Sequence, residues 1–292
     1  MRKRRFGDRK DGRRVRGADP MLKAMPYIMK RRSDAQNFFT DKLKIEKAER
    51  LCREKVKEGK HNFTILHVIL AAYVRTVSQR PALNRFISGQ KLYSRDDEIV
   101  VNMSIKRSMS IDAKDTMIKV VFNPSDTIDD VYDKFNKVVT ETLEAGEGSS
   151  FDTVAKILTF IPGLVLRWAV SLLFFLDYFG LLPKFLTNKV SPFHGSMIIT
   201  SMGSLGIRPI HHHLYDFGNL PVFISYGIKK TSYKLDSEGN VTKHKYVDIS
   251  VVTDERICDG YYYASCFKFL RRCVENPEVL LAPPENVCRD ID

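Results

Sequence analysis

Apolar and polar residues alternate most clearly near the end of the chain. Tyr246-Val247-Asp248-Ile249-Ser250-Val251-Val252 has the two-residue period of a half-buried strand. An amphipathic run begins at Tyr261, so Asp254 to Gly260 reads as a tight turn between a strand and a helix. Upstream, 221–229 and 197–202 are short apolar runs of strand length. Asp236-Ser237-Glu238-Gly239-Asn240 supplies the turn that makes the last two strands a hairpin. The stretch 64–79 is a strongly apolar helix. In 40–58, Leu43, Ile45, Ala48 and Leu51 fall at helical spacing. Residues 85–93 and 99–109 are expected to pair as a hairpin turning at 94–97, with 117–122 a further short strand. A helix over 127–142 would be capped by Ser125 or Thr127. The pattern as a whole is α/β, a mixed sheet flanked by helices on one side.

One region fits this scheme poorly. From Ile157 to Leu186 the only charges are Arg167, Asp177 and Lys184, set among Trp168, Leu172, Phe174, Phe175 and Phe179. Pro162-Gly163 interrupts the run and Gly180 closes its main helix. Nine residues separate Arg167 from Asp177, far fewer than the roughly 20 a spanning helix requires. Three readings stay open for 154–186: a lid buried on the domain, a contact between subunits, or a helix lying in a lipid interface.

Composition adds boundaries. A chain of 292 residues with 43% hydrophobic content can bury a sizeable core. Residues 21–292 are read as one domain, interrupted by the insert at about 147–194. Five cysteines in no paired spacing read as reduced cytosolic thiols, most of them small buried hydrophobes. The net charge is +12, and residues 1–17 hold nine basic side chains against two acidic ones. Residues 1–20 are therefore expected to be a disordered basic arm. No apolar stretch follows the charges, so the arm is not a secretory signal. Its plain reading is a solvated tail; the sharper partners are an anionic membrane surface, an acidic protein or RNA, and the lack of interleaved aromatics counts against sequence-specific RNA readout. The expected location is cytoplasmic with peripheral membrane association.

Candidate chemistry gathers in three places. The turn carries Glu255 and Asp259. The loop Ile210-His211-His212-His213-Leu214-Tyr215-Asp216 offers three histidines and a carboxylate that can orient one of them as a base, or it is simply a packed loop. Its spacing suits no metal, and none is expected. His194, ahead of the 197–202 strand, is a further base candidate. His67 sits on the apolar helix and reads as a core residue.

Asp254-Glu255-Arg256-Ile257-Cys258-Asp259-Gly260 resembles the Asp-His-Arg-x-x-Asp-Gly signature of the chloramphenicol acetyltransferase and dihydrolipoyl acyltransferase superfamily. Pro81-Ala82-Leu83-Asn84 resembles a turn of that family. Ile198-Ile199-Thr200-Ser201-Met202-Gly203 is similar to its "Thr-Ile-Ser-Asn-Leu-Gly" strand and turn, and Glu275-Asn276-Pro277-Glu278 to its ending. These segments span roughly 22–285 in family order, apart from the insert. The resemblance implies a trimer, or a multiple of three, with sites between subunits. It implies transfer of an acyl group between thiols, coenzyme A being a substrate. Lipoyl-domain and linker tracts do not occur in the sequence. The family histidine is the general base, and its position here holds Glu255. Thr200 would supply the oxyanion hydroxyl, with Ser201 and Gly203 beside it on the substrate. Asp259 would fix the turn through an ion pair with Arg31 or Arg32, and Gly260 would be the turn glycine. A carboxylate near pKa 4 is a weak base for a thiol near 8.5 unless burial raises it, so His194, His211, His212 and His213 enter as replacements. The alternative is a non-catalytic scaffold or acyl-binding pseudo-enzyme.

Overall fold

The computed structural model describes residues 4–106, 115–144 and 160–292. In chain order these give strand β1 (Arg13–Arg14), helix α1 (Pro20–Ile28), strand β2 (Gln36–Lys44) and helices α2 (Glu46–Lys57) and α3 (Ile65–Gln79). Strands β3 (Arg85–Ser88), β4 (Lys91–Ser94), β5 (Ile99–Lys106) and β6 (Asp115–Phe122) follow, then helices α4 (Ile128–Glu144) and α5 (Gly163–Tyr178). Strands β7 (Met197–Ser201), β8 (Val222–Leu235) and β9 (Val241–Asp254) lead into the last helix, α6 (Gly260–Glu275).

Six strands form one mixed sheet in the order β2-β9-β8-β7-β5-β6. The pairs β5–β7 and β7–β8 are parallel, the rest antiparallel. Period-two alternation divides the sheet into two faces. Met197, Ile199, Val222, Ile224, Val247, Ile249 and Val251 join α2, α3 and α6 in the main core. Every residue from Ile65 to Ser78 of α3 is buried there. The opposite face is covered by a loop, 207–220, with Ile198, Phe223, Val252, Leu214 and Leu220 in a second, smaller apolar cluster.

Three local expectations are corrected. Leu43 belongs to a strand rather than a helix: 36–44 pairs residue by residue with β9, and the helix begins only at Glu46. The hairpin of 85–94 turns at Gly89-Gln90, both at positive φ, as a two-residue turn requires. β5 therefore pairs with β6 and β7 in the large sheet, while β3 and β4 form a separate small one. Residues 107–109, expected at the end of β5, lie outside the described residues. The helix after β6 starts as expected, with Thr127 Oγ1 accepting from the Asp130 amide.

The basic N-terminal segment is not a disordered arm. Arg13 and Arg14 pair with β4, the Val15 amide donates to Leu92, and Val15 and Ala18 enter the main core. Its cations find carboxylates: Arg13 on Asp96 and Asp292, Arg5 on Asp292, Arg16 on Asp8. A Cβ at Gly12 would lie 2.6 Å from the Phe86 ring, so the glycine lets this segment pack close. Residues 147–159 of the insert lie outside the described residues, and the described part, from 160 on, is not a buried lid. The one residue that α5 buries is Asp177, and its large apolar side chains stand in solvent.

Candidate functional site

Thr200 points from β7 to the loop-covered face, two residues beyond Ile198, which packs in the smaller cluster. It borders a cleft of about 530 Å³ together with Ser201, Met103, Leu205, Tyr215 and His212. The loop carrying His212 is held to the sheet at several points. The Ile210 amide donates to Ser225 Oγ (3.1 Å), the residue paired with Thr200. The Leu214 amide donates to Gln36 Oε1 (2.7 Å), and the Ile228 amide to the Ile207 carbonyl (3.1 Å). Glycine permits this proximity. A Cβ on Gly227 would lie 2.5 Å from Pro209 Cδ, and one on Gly203 would lie 2.5 Å from the Gly227 carbonyl.

The His212 ring stacks on Phe223, with centroids 4.2 Å apart and planes 3° from parallel. Its Nδ1 lies 2.9 Å from the His213 carbonyl. A carbonyl only accepts, so Nδ1 is the donor, and in the neutral ring the lone pair falls on Nε2. The neighbours differ. His211 is exposed with its ring edge on Phe38, and His213 is exposed against Tyr215. Asp216, expected to orient a histidine, instead accepts from the Ser33 amide and hydroxyl.

Glu255 is elsewhere. Thr200 sits level with Ser225 and Ser250 across the sheet, whereas Glu255 follows Asp254 at the far end of β9. Glu255 lies five positions beyond Ser250, roughly 16 Å of extended chain. Glu255 is half-buried, its amide donating to the Ala35 carbonyl (2.9 Å). Within one chain it therefore does not share the Thr200 cleft.

The turn itself is held otherwise than the resemblance implies. Asp259 is exposed and caps α6, accepting from the Tyr262 amide (2.9 Å). The arginine ion pair expected of it is made by Asp254, fully buried at 0% exposure. Arg256 grips both its oxygens at 2.7 Å, and Arg32 Nε reaches Oδ2 at 3.3 Å. Asp254 immediately precedes the turn at the end of a strand, so its carboxylate points inward where Asp259 has already passed to the helix start. The other guanidinium nitrogens of Arg32 donate to the carbonyls of Tyr215 (2.6 Å), Ile87 (3.0 Å) and Gly218 (3.1 Å). Arg32 thus ties the turn to the end of the histidine loop. Gly260 has open space where a Cβ would stand, so no steric demand fixes it as glycine.

His194 belongs to a separate, buried network. Its Nε2 lies 3.2 Å from Asp177 Oδ1 and its Nδ1 2.7 Å from Ser191 Oγ. Arg9 closes the group, donating to Asp177 Oδ1 (3.3 Å), to the Asp177 carbonyl (2.7 Å) and to Ser88 (2.7 Å). Burial lowers the His194 pKa, so the ring is neutral and donates from Nε2. Burial pushes Asp177 upward, but its bonds to His194 and the permanent charge of Arg9 outweigh that and hold it low. Beside this group, Lys119 donates to the Thr187 and Ser191 carbonyls, and burial pushes its ammonium down to about 7. No sequence motif signals Ser191, Asp177 or Lys119, because three separate segments bring them together. Among the described residues no cluster of three His, Cys, Asp or Glu is placed to hold a metal ion.

No protein-family model matches the chain, and no curated protein matches it. Solved structures do. A probable dihydrolipoamide acetyltransferase from Listeria monocytogenes matches with a TM-score of 0.54 at 13% identity, over 94% of this chain and 97% of that one. The dihydrolipoamide acetyltransferase of Azotobacter vinelandii matches at 0.52 and 13% identity, over 90% and 93%. A truncated catalytic core of the 2-oxoacid dehydrogenase multienzyme complex from Thermoplasma acidophilum matches at 0.51 and 12% identity, over 90% and 98%. At this identity the likeness is one of fold.

Proposed function

We propose that this chain, which has the chloramphenicol acetyltransferase-like fold of the dihydrolipoamide acetyltransferase catalytic domains, transfers an acyl group between thiols at the Thr200–His212 cleft. The observation that carries this reading is their placement: a hydroxyl and a histidine whose Nδ1 is taken by a backbone carbonyl, both on the walls of one open cleft. In the proposed step, His212 Nε2 takes the proton of an acceptor thiol such as coenzyme A. The thiolate attacks a thioester carbonyl, and the Thr200 hydroxyl donates to the tetrahedral oxyanion. Collapse expels the donor thiolate, which recovers the proton from His212. A homotrimer, or a multiple of three, suits the far placement of Glu255, which reaches a Thr200 cleft only across a subunit boundary. The apolar insert favours long-chain or lipid acyl groups over acetyl, in a cytoplasmic protein held peripherally at a membrane.

A second reading, a non-catalytic scaffold or acyl-binding pseudo-enzyme, is favoured by one observation: Glu255 stands where the resemblance implies the base. Coenzyme A thioesters of increasing chain length separate the two. The first reading expects exchange that Thr200→Val cuts by about 10²–10³. It further expects only a modest loss for Glu255→Gln, since His212 is the proposed base. No exchange with any thioester, from the native protein or from Glu255→His, would leave the scaffold.

A further inference from the structure

We propose that α5 and the segment after it form a docking surface for bilayers that contain anionic lipid. The helix is inside out. Its buried residue is the acid, Asp177, already matched by Arg9 and His194. Its apolar side chains face water instead: Trp168 is 77% exposed, Leu164 75%, and Phe175, like Phe179 just past the helix end, 57%. No described helix is long and apolar enough to cross a membrane. At sixteen residues α5 is about 24 Å long, which suits a helix lying along the interface.

Charge selects the occupant. Between 160 and 190 every exposed charged side chain is a cation: Arg167, Lys184 and Lys189. The N-terminal segment adds exposed Lys10, bordering the same depression as Gly180, Leu182 and Lys184, where Glu98 is the one exposed acid. Exposed Lys30 and Arg31 line the cavity next to Phe174 and Tyr178, outnumbering its one exposed acid, Asp216. A second copy seated face to face would cover the apolar residues but set these cations against one another. Lipid tails cover the apolar residues while anionic headgroups meet the cations. The surface is independent of whether the cleft carries chemistry.

Trp168 is the single tryptophan of the chain and stands exposed on this surface, so its emission reports the docking directly. The full chain is mixed with phosphatidylcholine vesicles, with and without phosphatidylserine. The expected result is a shift of emission to shorter wavelength and cosedimentation, both needing phosphatidylserine and both weakened by salt. Leu172→Ser with Phe175→Ser, exposed positions that leave the core alone, should lower vesicle affinity at least about tenfold. Arg167→Glu with Lys184→Glu should abolish the phosphatidylserine requirement and the binding with it, while circular dichroism stays native. Unchanged emission and no cosedimentation would overturn the proposal. So would short-wavelength emission in buffer that depends on protein concentration, the mark of a second copy covering the face.

Discussion

His194 and His212 show how two histidines within twenty residues can be put to opposite uses. His194 is 4% exposed, and both ring nitrogens are taken, one by Asp177 and one by Ser191. Its ring is fully partnered, and what it holds is Asp177 near the C-terminal end of α5. His212 is half-buried on the wall of a cleft, with Nδ1 fixed by a backbone carbonyl and no such partner on Nε2. A carboxylate partner makes the first look more like a catalytic histidine, yet enclosure denies it a substrate. Access rather than the hydrogen-bond partner decides which one can do chemistry.

The largest effect should come from cutting the buried group. Asp177→Ala leaves His194 without its acid and Arg9 with Asp11 alone, and should cost about 3 kcal/mol in denaturant unfolding, the low end for breaking a buried pair. Thioester turnover per folded molecule should stay near native. A collapse of turnover in folded protein would mean that the two histidine sites are not independent.

Acid sharpens the same contrast. The buried histidines are held neutral: burial lowers His194 and takes His67 down to about 4. A depressed histidine adds stability that is fully present above its unfolded pKa near 6.5, because below that pH the unfolded chain binds a proton that the fold refuses. That stability is lost as pH falls from about 6.5 toward 4, by about 3 kcal/mol for His67. Urea unfolding across this window should show the loss, and His67→Asn should flatten it. An unchanged slope in that variant would contradict the assignment.

Gly227→Ala tests how firmly the open histidine is positioned. Its new Cβ would stand 2.5 Å from Pro209 Cδ and 2.7 Å from Pro209 N, so the loop must shift. About 1–3 kcal/mol of stability should be lost, with turnover falling as His212 moves. The smallest effects belong to His211→Ala and His213→Ala, exposed rings whose removal should change stability by no more than about 0.5 kcal/mol and leave turnover intact.

Much of the sheet was legible from its apolar pattern: Met197–Ser201 lies where expected, and the 221–229 and 246–252 runs fall inside Val222–Leu235 and Val241–Asp254, whose polar hairpin ends, 230–235 and 241–245, carry little apolar signal. Leu43 misled because an isolated strand-to-helix junction at Ile45 keeps apolar residues at spacings that both periods allow. The Gly89-Gln90 turn was overlooked beside the more polar 94–97 stretch, although only the former joins paired strands. Charge density alone suggested a disordered N-terminus. The carboxylates that order it, Asp96 and Asp292, lie far away in sequence. In the same way Thr200 could be marked from its strand, but the choice of His212 among three adjacent histidines depended on which ring Phe223 stacks against. The ion pair of Asp254 with Arg256 and Arg32 also needed the fold, since burial rather than spacing separates Asp254 from Asp259.

The most direct measurement is coenzyme A thioester exchange by His212→Ala alongside the native protein, with folding checked by thermal melting. The account predicts a loss of about 10²–10⁴ in rate, the usual consequence of removing a general base, with a melting transition that remains cooperative. Exchange at the native rate in folded His212→Ala would contradict it.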